Sequence, residues 1–244
     1  MATQAPAPPP HPSSTGVRRQ VGAALDRAAG SWWAAQRLVQ RWRWTRLRLA
    51  VGWQARAKGS RVAFEIGAGA TIGRRVQCDV LPRTRNRFAV GAGTVIGDDF
   101  GVQFSGGSLR IGADTIVRSS VRVTSGGELT VGDGVFLGTG AFLHCAERVS
   151  LGRYAVLAEY ATVTDSNHTR TPLDVPTFHT VRTKPTRVGD NVWVGAKAVV
   201  AAGTTVGDGC FVGANAVVTK DVPPMWLAAG VPARLVAELT VVEP

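Results

Sequence analysis

The stretch from residue 188 to residue 218 reads V-G-D-N-V-W, V-G-A-K-A-V, V-A-A-G-T-T, V-G-D-G-C-F, V-G-A-N-A-V and a last V. Its leading valines stand six residues apart, a period that fits neither a helix nor a simple strand. Short strands cannot bury their apolar faces alone, but they can when each one forms a side of a coil stacked on the next. The stretch therefore predicts a solenoid.

The same step of six recurs along the chain in triplets of apolar residues, one triplet for each coil. The triplets are Ile66, Ile72 and Cys78; Val90, Ile96 and Val102; Ile111, Val117 and Val123; Val131, Leu137 and Leu143; Leu151, Leu157 and Val163; Val188, Val194 and Val200; Val206, Val212 and Val218. The longer steps fall between triplets, at one corner of the coil, where stacked coils tolerate insertions. The pattern predicts an all-β, three-sided parallel β-helix of about seven coils over residues 61–232.

Most of the net positive charge lies in residues 17–60, which hold ten Lys or Arg residues against one Asp. Five of the seven tryptophans also lie there. Apolar residues recur at helical spacing, which predicts a basic amphipathic helix. They are Leu25, Ala28, Trp32, Ala35, Val39 and Trp42. Because Arg43 and Arg46 fall on or near the apolar side, we expect the helix to be imperfect or to break near Thr45.

Two hypotheses account for this segment. Residues 17–57 either contact an anionic membrane surface or pack on the solenoid or on a neighbouring subunit. Nucleic acid is disfavoured as a partner, because no recognised motif accompanies the charge. Residues 1–16 are Pro-rich and lack an apolar core, which predicts a disordered tail rather than a signal peptide.

The cysteines indicate a reducing compartment, and the hydropathy indicates that no segment spans a membrane. Cys78, Cys145 and Cys210 are widely spaced, which indicates core thiols rather than disulfides or a metal site. No run of 18 apolar residues is present. We expect a cytoplasmic protein, or one bound peripherally at the inner face of the cytoplasmic membrane.

The repeats, together with V-V-T-K-D-V-P-P at 217–224 and A-A-G-V-P-A-R at 228–234, resemble the hexapeptide-repeat acyltransferases. The resemblance is closest to sugar O-acetyltransferases of the galactoside, maltose and surface-polysaccharide kind. It implies a left-handed β-helix, a homotrimer with sites between subunits, acetyl-CoA or another acyl-CoA as co-substrate, no metal, and a sugar or glycan acceptor. For residues 233–244 we expect a short C-terminal helix and a tail.

The repeat is interrupted at residues 164–187, where long insertions are commonly functional. The T-D-S-N-H run at 164–168 resembles the D-x-N-H segment of polysaccharide-type acetyltransferases, which implies that His168 is the general base. A sugar hydroxyl is too weakly acidic to attack at neutral pH without one. Asn167 or a backbone N–H would stabilise the oxyanion. Asp165 is the preferred partner to fix the imidazole tautomer, with Glu159, Asp174 and a backbone carbonyl as alternatives.

On the donor side, the resemblance assigns two groups of residues. Trp193, Ala196 and Ala214 match positions that line the pantetheine channel, and Thr219, Lys220 and Arg234 match positions around the nucleotide end of coenzyme A. Ordinary coil packing and plain surface are the competing interpretations.

Two further positions need separate comment. Galactoside-type relatives carry an Asn where this chain has Gly138. Either Thr139 substitutes for that Asn, or the acceptor is held differently. His144 follows the inward-facing Leu143 and should point outward, and we interpret it as a surface or subunit-contact histidine rather than a catalyst.

Other functions are compatible with parts of the pattern. The acceptor could be a small-molecule or natural-product hydroxyl or amine. The solenoid could instead be a non-catalytic scaffold at a membrane. A zinc enzyme on this fold would need three converging histidines, and His144, His168 and His179 lack the closely spaced pair that such a site uses.

Overall fold

Three parallel sheets form the sides of a β-helix in the described part of the chain. The structure is a computed structural model that describes residues 14–173, 176 and 180–240, with residues 14–34 as backbone only. The chain divides into two units, Met1–Trp42 and Arg43–Pro244, and the β-helix lies in the second.

Each coil contributes one strand to each sheet, in the order sheet A, sheet B, sheet C. Sheet A holds β1 (Arg61–Ile66), β4 (Arg85–Val90), β7 (Ser108–Ile111), β10 (Glu128–Val131), β13 (Arg148–Leu151), β18 (Thr186–Val188) and β21 (Thr205–Val206). Sheet B begins with β2 (Thr71–Ile72), β5 (Val95–Ile96), β8 (Ile116–Val117), β11 (Phe136–Leu137), β14 (Val156–Leu157), β19 (Trp193–Val194) and β22 (Phe211–Val212). Sheet C holds β3 (Gln77–Val80), β6 (Gly101–Phe104), β9 (Arg122–Ser125), β12 (Phe142–Cys145), β15 (Thr162–Thr164), β20 (Val199–Val200) and β23 (Val217–Val218).

The predicted triplets are the inward rows of these sheets. The first residues of the triplets pair along sheet A, the second along sheet B and the third along sheet C. All of them are buried except Ile66, which is partly buried. The prediction of a parallel β-helix of about seven coils is confirmed, and its left-handed winding stays a prediction.

The outward side chains differ between sheet A and sheet B. On sheet A, Arg87 pairs with Glu65 at 2.7 Å, and Arg148 pairs with Glu128 at 3.3 Å. Sheet B instead carries a row of six outward apolar residues, which we call the sheet B column: Val95, Ile116, Phe136, Val156, Trp193 and Phe211. Four of them, Val95, Ile116, Trp193 and Phe211, are 43–48% exposed.

The predicted basic helix is α1 (Ser14–Ala57), and it runs through Thr45 without a break. The expectation of a break was wrong because Arg43 has a partner on the solenoid: its Nη1 donates to the carbonyl of Ile72 at 3.0 Å. Nε1 of the buried Trp44 likewise donates to the carbonyl of Ala70 at 2.9 Å. Residues 43–57 thus pack on the first coils.

The predicted N-terminal tail and the predicted apolar stripe of the helix can be compared with the structure only in part. Residues 1–13, most of the predicted tail, lie outside the described part of the chain. Val39 and Trp42, from the predicted apolar stripe, are exposed, whereas Trp44, Val51 and Ala55 are buried. The helix described here carries no apolar run long enough to cross a membrane.

The predicted C-terminal helix is a strand instead. β24 (Trp226–Gly230) pairs in parallel with β22, and β25 (Ala233–Glu238) pairs antiparallel with β24. Without a further strand, the outer edge of β24 would leave its backbone N–H and C=O groups unpaired. β25 turns back and hydrogen-bonds these groups, which a helix could not do. The sequence from 233 to 238 therefore closes the edge of sheet B.

Candidate active site

The interruption of the repeat is a β-hairpin at the corner between sheet C and sheet A. It leaves β15 at Asp165 and returns to β18 through Lys184, whose N–H donates to the carbonyl of Asp165 at 2.8 Å. Its antiparallel strands are β16 (Ser166–His168) and β17 (Val181–Thr183). We call residues 165–184 the hairpin; residues 174, 175 and 177–179 lie outside the described part of the chain.

His168 ends strand β16 and is exposed. Within the described residues, no side chain or backbone group hydrogen-bonds its imidazole. Asn167 is also exposed, but neighbouring residues of a strand point to opposite faces of their ladder. The alternation favours a backbone N–H over Asn167 as the donor to an oxyanion formed beside His168.

Asp165 does not orient His168 in this structure. The side chain is fully buried, and its carboxylate accepts hydrogen bonds from the backbone N–H groups of Ala146, Glu147 and Arg148 at 2.7–2.8 Å. These donors lie in the turn between β12 and β13, on the preceding coil. The predicted role was wrong because a buried carboxylate binds the nearest unpaired donors, which here belong to that turn. Asp165 ties the base of the hairpin to the solenoid.

The other predicted partners for the imidazole are Glu159, Asp174 and a backbone carbonyl. Glu159 lies at the corner between sheets B and C, whereas the hairpin leaves at the corner between sheets C and A. Asp174 lies outside the described residues. No backbone carbonyl of the described residues accepts a hydrogen bond from the ring, so the partner of the His168 imidazole stays a prediction.

The cysteines are core thiols, as predicted. All three are free and buried. Burial, with the nearby charge of Asp165, raises the pKa of Cys145 from 9.0 to about 12, and burial raises the pKa of Cys78 to about 12. Burial also raises the pKa of Cys210. Because the thiolate is the nucleophilic form, none of them is suited to carry an acyl group at neutral pH.

The structure brings together the residues predicted for the pantetheine arm. Trp193 pairs with Phe211 of the next coil, with their ring centroids 6.5 Å apart. Ala196 and Ala214 lie at the corner between sheets B and C on the same two coils, and the carbonyl of Ala196 accepts the N–H of Asn215 at 2.9 Å. Phe211 was not among the predicted residues, although it stands eighteen residues after Trp193 in the repeat.

The residues predicted for the nucleotide end are more dispersed. Thr219 and Lys220 are exposed just after β23, at the corner between sheets C and A where the hairpin also leaves. Arg234 is exposed on β25, opposite Ala229 of β24 at the edge of sheet B. The three residues therefore lie on two different sides of the last coil.

Position 138, where the resemblance led us to expect an Asn, has no room for a side chain. A Cβ atom at this position would lie 2.6 Å from the carbonyl carbon of Ala158 and 2.7 Å from the nitrogen of Glu159. Since no side chain fits, an Asn is excluded here by the next coil. Thr139 follows at the same corner, half-buried, and its carbonyl accepts the N–H of Tyr160 at 3.0 Å.

Within the described residues, no three His, Cys, Asp or Glu side chains are grouped as metal ligands. His179, which the zinc hypothesis would need, lies outside them.

Comparison with known proteins identifies the repeat. Residues 185–220 match the family model described as bacterial transferase hexapeptide (six repeats). The chain is 31% identical to the galactoside O-acetyltransferase of Escherichia coli (strain K12) over 97 residues, which cover 37% of this chain and 44% of that protein. The chain spans less than half the length of the curated relatives it matches. The predicted resemblance to hexapeptide-repeat acyltransferases is confirmed.

Solved structures share the fold at low identity. An N-acyltransferase from Bacillus cereus, in complex with dTDP and coenzyme A, superposes with a TM-score of 0.53 at 17% identity, over 68% of this chain and 83% of that chain. A polySia-specific acetyltransferase superposes with a TM-score of 0.50 at 20% identity, over 76% and 90% of the two chains. At these identities the likeness concerns the fold alone.

Proposed function

We propose that this protein transfers an acetyl group from acetyl-CoA, or a related acyl group from its CoA thioester, to a hydroxyl of a sugar or glycan. The observation that carries the proposal is the accessible imidazole of His168, on a hairpin that interrupts a transferase hexapeptide repeat. The partial match to a galactoside O-acetyltransferase supports the acceptor class. We infer a surface polysaccharide or a lipid-linked precursor as the natural acceptor.

In the proposed reaction His168 acts as the general base. Its imidazole removes the proton from the acceptor hydroxyl as the oxygen attacks the thioester carbonyl. A backbone N–H stabilises the tetrahedral oxyanion, which collapses as the C–S bond breaks. The imidazolium returns the proton to the coenzyme A thiolate, so the products are the acetyl ester and free coenzyme A. The buried, protonated cysteines support this direct transfer without an acyl-enzyme.

The acyl donor would lie along the corner between sheets B and C. Trp193 supplies an aromatic wall, and the small side chains of Ala196 and Ala214 let the pantetheine arm approach the backbone. Thr219, Lys220 and Arg234 are proposed for the nucleotide end, where cations suit the phosphates.

A complete site would require a second copy of the chain. His168 lies on the hairpin at the corner between sheets C and A, whereas Trp193 and Ala196 lie across sheet C from it. The exposed sheet B column is an apolar surface of the kind that marks a subunit contact. We propose a homotrimer, in which the hairpin of one subunit faces the donor residues of its neighbour.

Substitutions on two faces of the third coil test the trimer. Ile116→Arg places a charge in the sheet B column and should give a monomer without transferase activity. Arg110→Glu changes a charged position on the outer face of sheet A and should stay trimeric and active. Light scattering and thiol release measure the two properties. A monomeric wild-type protein with full activity would refute the shared site.

The catalytic proposal is tested with His168→Ala. It should lower kcat by about a hundred- to ten-thousand-fold, which is the usual contribution of a general base, and leave coenzyme A binding unchanged. Thr169→Ala is the matched control on the same hairpin and should retain activity. The assay follows thiol release from acetyl-CoA with nucleotide sugars, free sugars, amino sugars and lipid-linked glycans. Full activity in His168→Ala would rule out this role.

We also propose that α1 brings the protein to the cytoplasmic face of a membrane. Leu49 and Trp53 are 69% and 77% exposed, although residues 43–57 already bury Trp44, Val51 and Ala55 elsewhere on the helix. No acidic residue occurs from 27 to 64, so the charged side chains of this stretch are all positive and favour anionic lipid. In the first unit, Leu38 and Trp42 are exposed as well.

Vesicle binding tests the membrane proposal. Leu49→Ser with Trp53→Ser should weaken binding to phosphatidylglycerol vesicles by at least about tenfold, because two apolar anchors are lost. Val236→Ser, at another exposed apolar position, is the control and should bind as the wild type does. Equal binding by the double variant, or equal binding to phosphatidylcholine vesicles, would contradict the proposal.

A further inference from the structure

Strand β12 presents two aromatic side chains outward, immediately beside the base of the hairpin. Phe142 pairs with Thr162 and His144 with Thr164, both on β15, the strand from which the hairpin leaves. The N–H of Asp165 donates to the carbonyl of His144 at 3.3 Å. Neighbouring strands lie about 4.8 Å apart, so the two rings are one strand away from the chain that leads to His168. We call Phe142 and His144 the aromatic pair.

The ring of His144 is held in one orientation. Its Nδ1 lies 2.6 Å from Oγ1 of Thr124, on strand β9. Its ring centroid lies 6.1 Å from that of Phe142, with the planes 53° apart. His144 is only half-buried, and no described residue hydrogen-bonds its Nε2. The second ring nitrogen is therefore fixed in place and available to a ligand.

The surface around the aromatic pair carries hydroxyl groups rather than ion pairs. Thr124, Thr162 and Thr164 are its cross-strand neighbours, and the remaining neighbour, Arg122, has its guanidinium bonded to the carbonyl of Asp99. Sheet A, by contrast, carries the ion pairs of Glu65 with Arg87 and Glu128 with Arg148. Sheet C is thus the more neutral surface beside the hairpin.

We propose that the aromatic pair binds the sugar ring of the acceptor. An aromatic ring packs against the apolar face of a pyranose, and a fixed imidazole nitrogen and threonine hydroxyls hydrogen-bond its hydroxyl groups. Such a site orients the sugar beside the hairpin, so that one hydroxyl faces His168. The inference rests on the proposed acyl transfer, and it assigns acceptor binding to residues outside the D-x-N-H segment.

The site separates the two histidines by role. His168 exchanges the proton, so its loss should lower kcat. His144 holds the acceptor, so its loss should raise KM for the sugar and leave KM for acetyl-CoA unchanged. A histidine that served only the stability of the coil would change neither constant selectively.

The test compares His144→Gln and Phe142→Leu with Gln103→Ala. Gln103 lies in the same outward row of sheet C as His144, two strands away, and is the matched control. The acceptors are the methyl glycosides of glucose, galactose, N-acetylglucosamine and N-acetylneuraminic acid. For whichever sugar the wild type acetylates, each aromatic-pair variant should raise KM by about tenfold, the value of one lost contact, and the control should not.

Unchanged KM for the sugar in both variants overturns the inference and leaves the result for His168 standing. A change in oligomeric mass without a change in KM also overturns it, because the pair would then be a subunit contact. If none of the four glycosides is acetylated, their binding is measured by the NMR signals of the His144 and Phe142 rings. Shifts absent from the Gln103 side chain support the inference, and the absence of shifts at both rings overturns it.

Discussion

The regular coils and the hairpin differ in how far their side chains are buried and in how their strands are paired. In the coils the triplet residues are buried, except for the partly buried Ile66, and each strand has parallel neighbours on the adjoining coils. In the hairpin the two short strands pair only with each other, and Asn167, His168 and all of β17 are exposed. The comparison indicates that the coils supply stability, that the hairpin presents the residues proposed for catalysis, and that Asp165 joins the two.

The largest effect is expected where the two regions meet. Asp165→Ala would leave three partly buried N–H groups, those of residues 146, 147 and 148, without an acceptor. Each such group costs about 1–3 kcal/mol, so we expect a loss of about 4–5 kcal/mol in the free energy of unfolding. Urea denaturation measures it. Asp165→Asn keeps the shape of the side chain and one acceptor oxygen, so its free energy of unfolding should fall less. If Asp165→Ala were as stable as the wild type, the contact of Asp165 with the preceding turn would not contribute to stability.

A single methyl group tests how tightly the coils stack. Gly138→Ala places a Cβ atom 2.6 Å from the backbone of the next coil and should destabilise the protein by about 2–3 kcal/mol. Gly52→Ala is the control, because a Cβ atom there meets nothing within 4 Å. In the helix the added methyl should stabilise by about 0.5–1 kcal/mol. Thermal melting of both variants gives the sign, and a stabilised Gly138→Ala would contradict the stacking.

Removing the hairpin should separate stability from activity. Replacing residues 167–182 with Asn-Gly joins the facing residues Ser166 and Thr183 by a two-residue turn. We expect the free energy of unfolding to change by less than about 1 kcal/mol. The hydrogen bonds between β16 and β17 are lost, but the shorter loop costs less entropy to close. Transfer should disappear with His168. If this variant unfolds, the coils depend on the hairpin and the comparison fails.

The smallest effect is expected on the outer face of sheet A. Glu128→Ala breaks the ion pair with Arg148, in which both side chains are about 60% exposed. Surface pairs of this kind contribute less than about 1 kcal/mol, and salt screens them. Denaturation at low and high salt should show a small difference that vanishes at high salt. A loss as large as that of Gly138→Ala would mean that the charged face also holds the coils together.

Much of the fold could be predicted because its inward-facing apolar residues recur every six positions in the sequence. The triplet residues from Ile66 to Val218 occupy the predicted inward positions, since a step of six residues leads from one side of a coil to the next. The C-terminal strand β25 could not be predicted in the same way. Its residues lie beyond the last repeat, and their conformation depends on the open edge of β24 beside them.

The site was predictable only in part. Trp193, Ala196 and Ala214 follow the repeat, so their neighbourhood could be inferred from spacing. The role of Asp165 could not be inferred from spacing. Its closeness in sequence to His168 suggested that it orients the imidazole, but its carboxylate is buried and bonded to other groups. The partners of a carboxylate depend on which donors the next coil leaves open.

By itself the sequence determined the number of coils, the inward rows and the position of the interruption, because each follows from a regular step along the chain. Only the tertiary structure decided that Asp165 serves the turn before β13, that Gly138 admits no side chain, and that His168 and Trp193 lie on different edges of one solenoid. These facts depend on contacts between coils about twenty residues apart or more, and a local sequence pattern does not encode which atoms meet there.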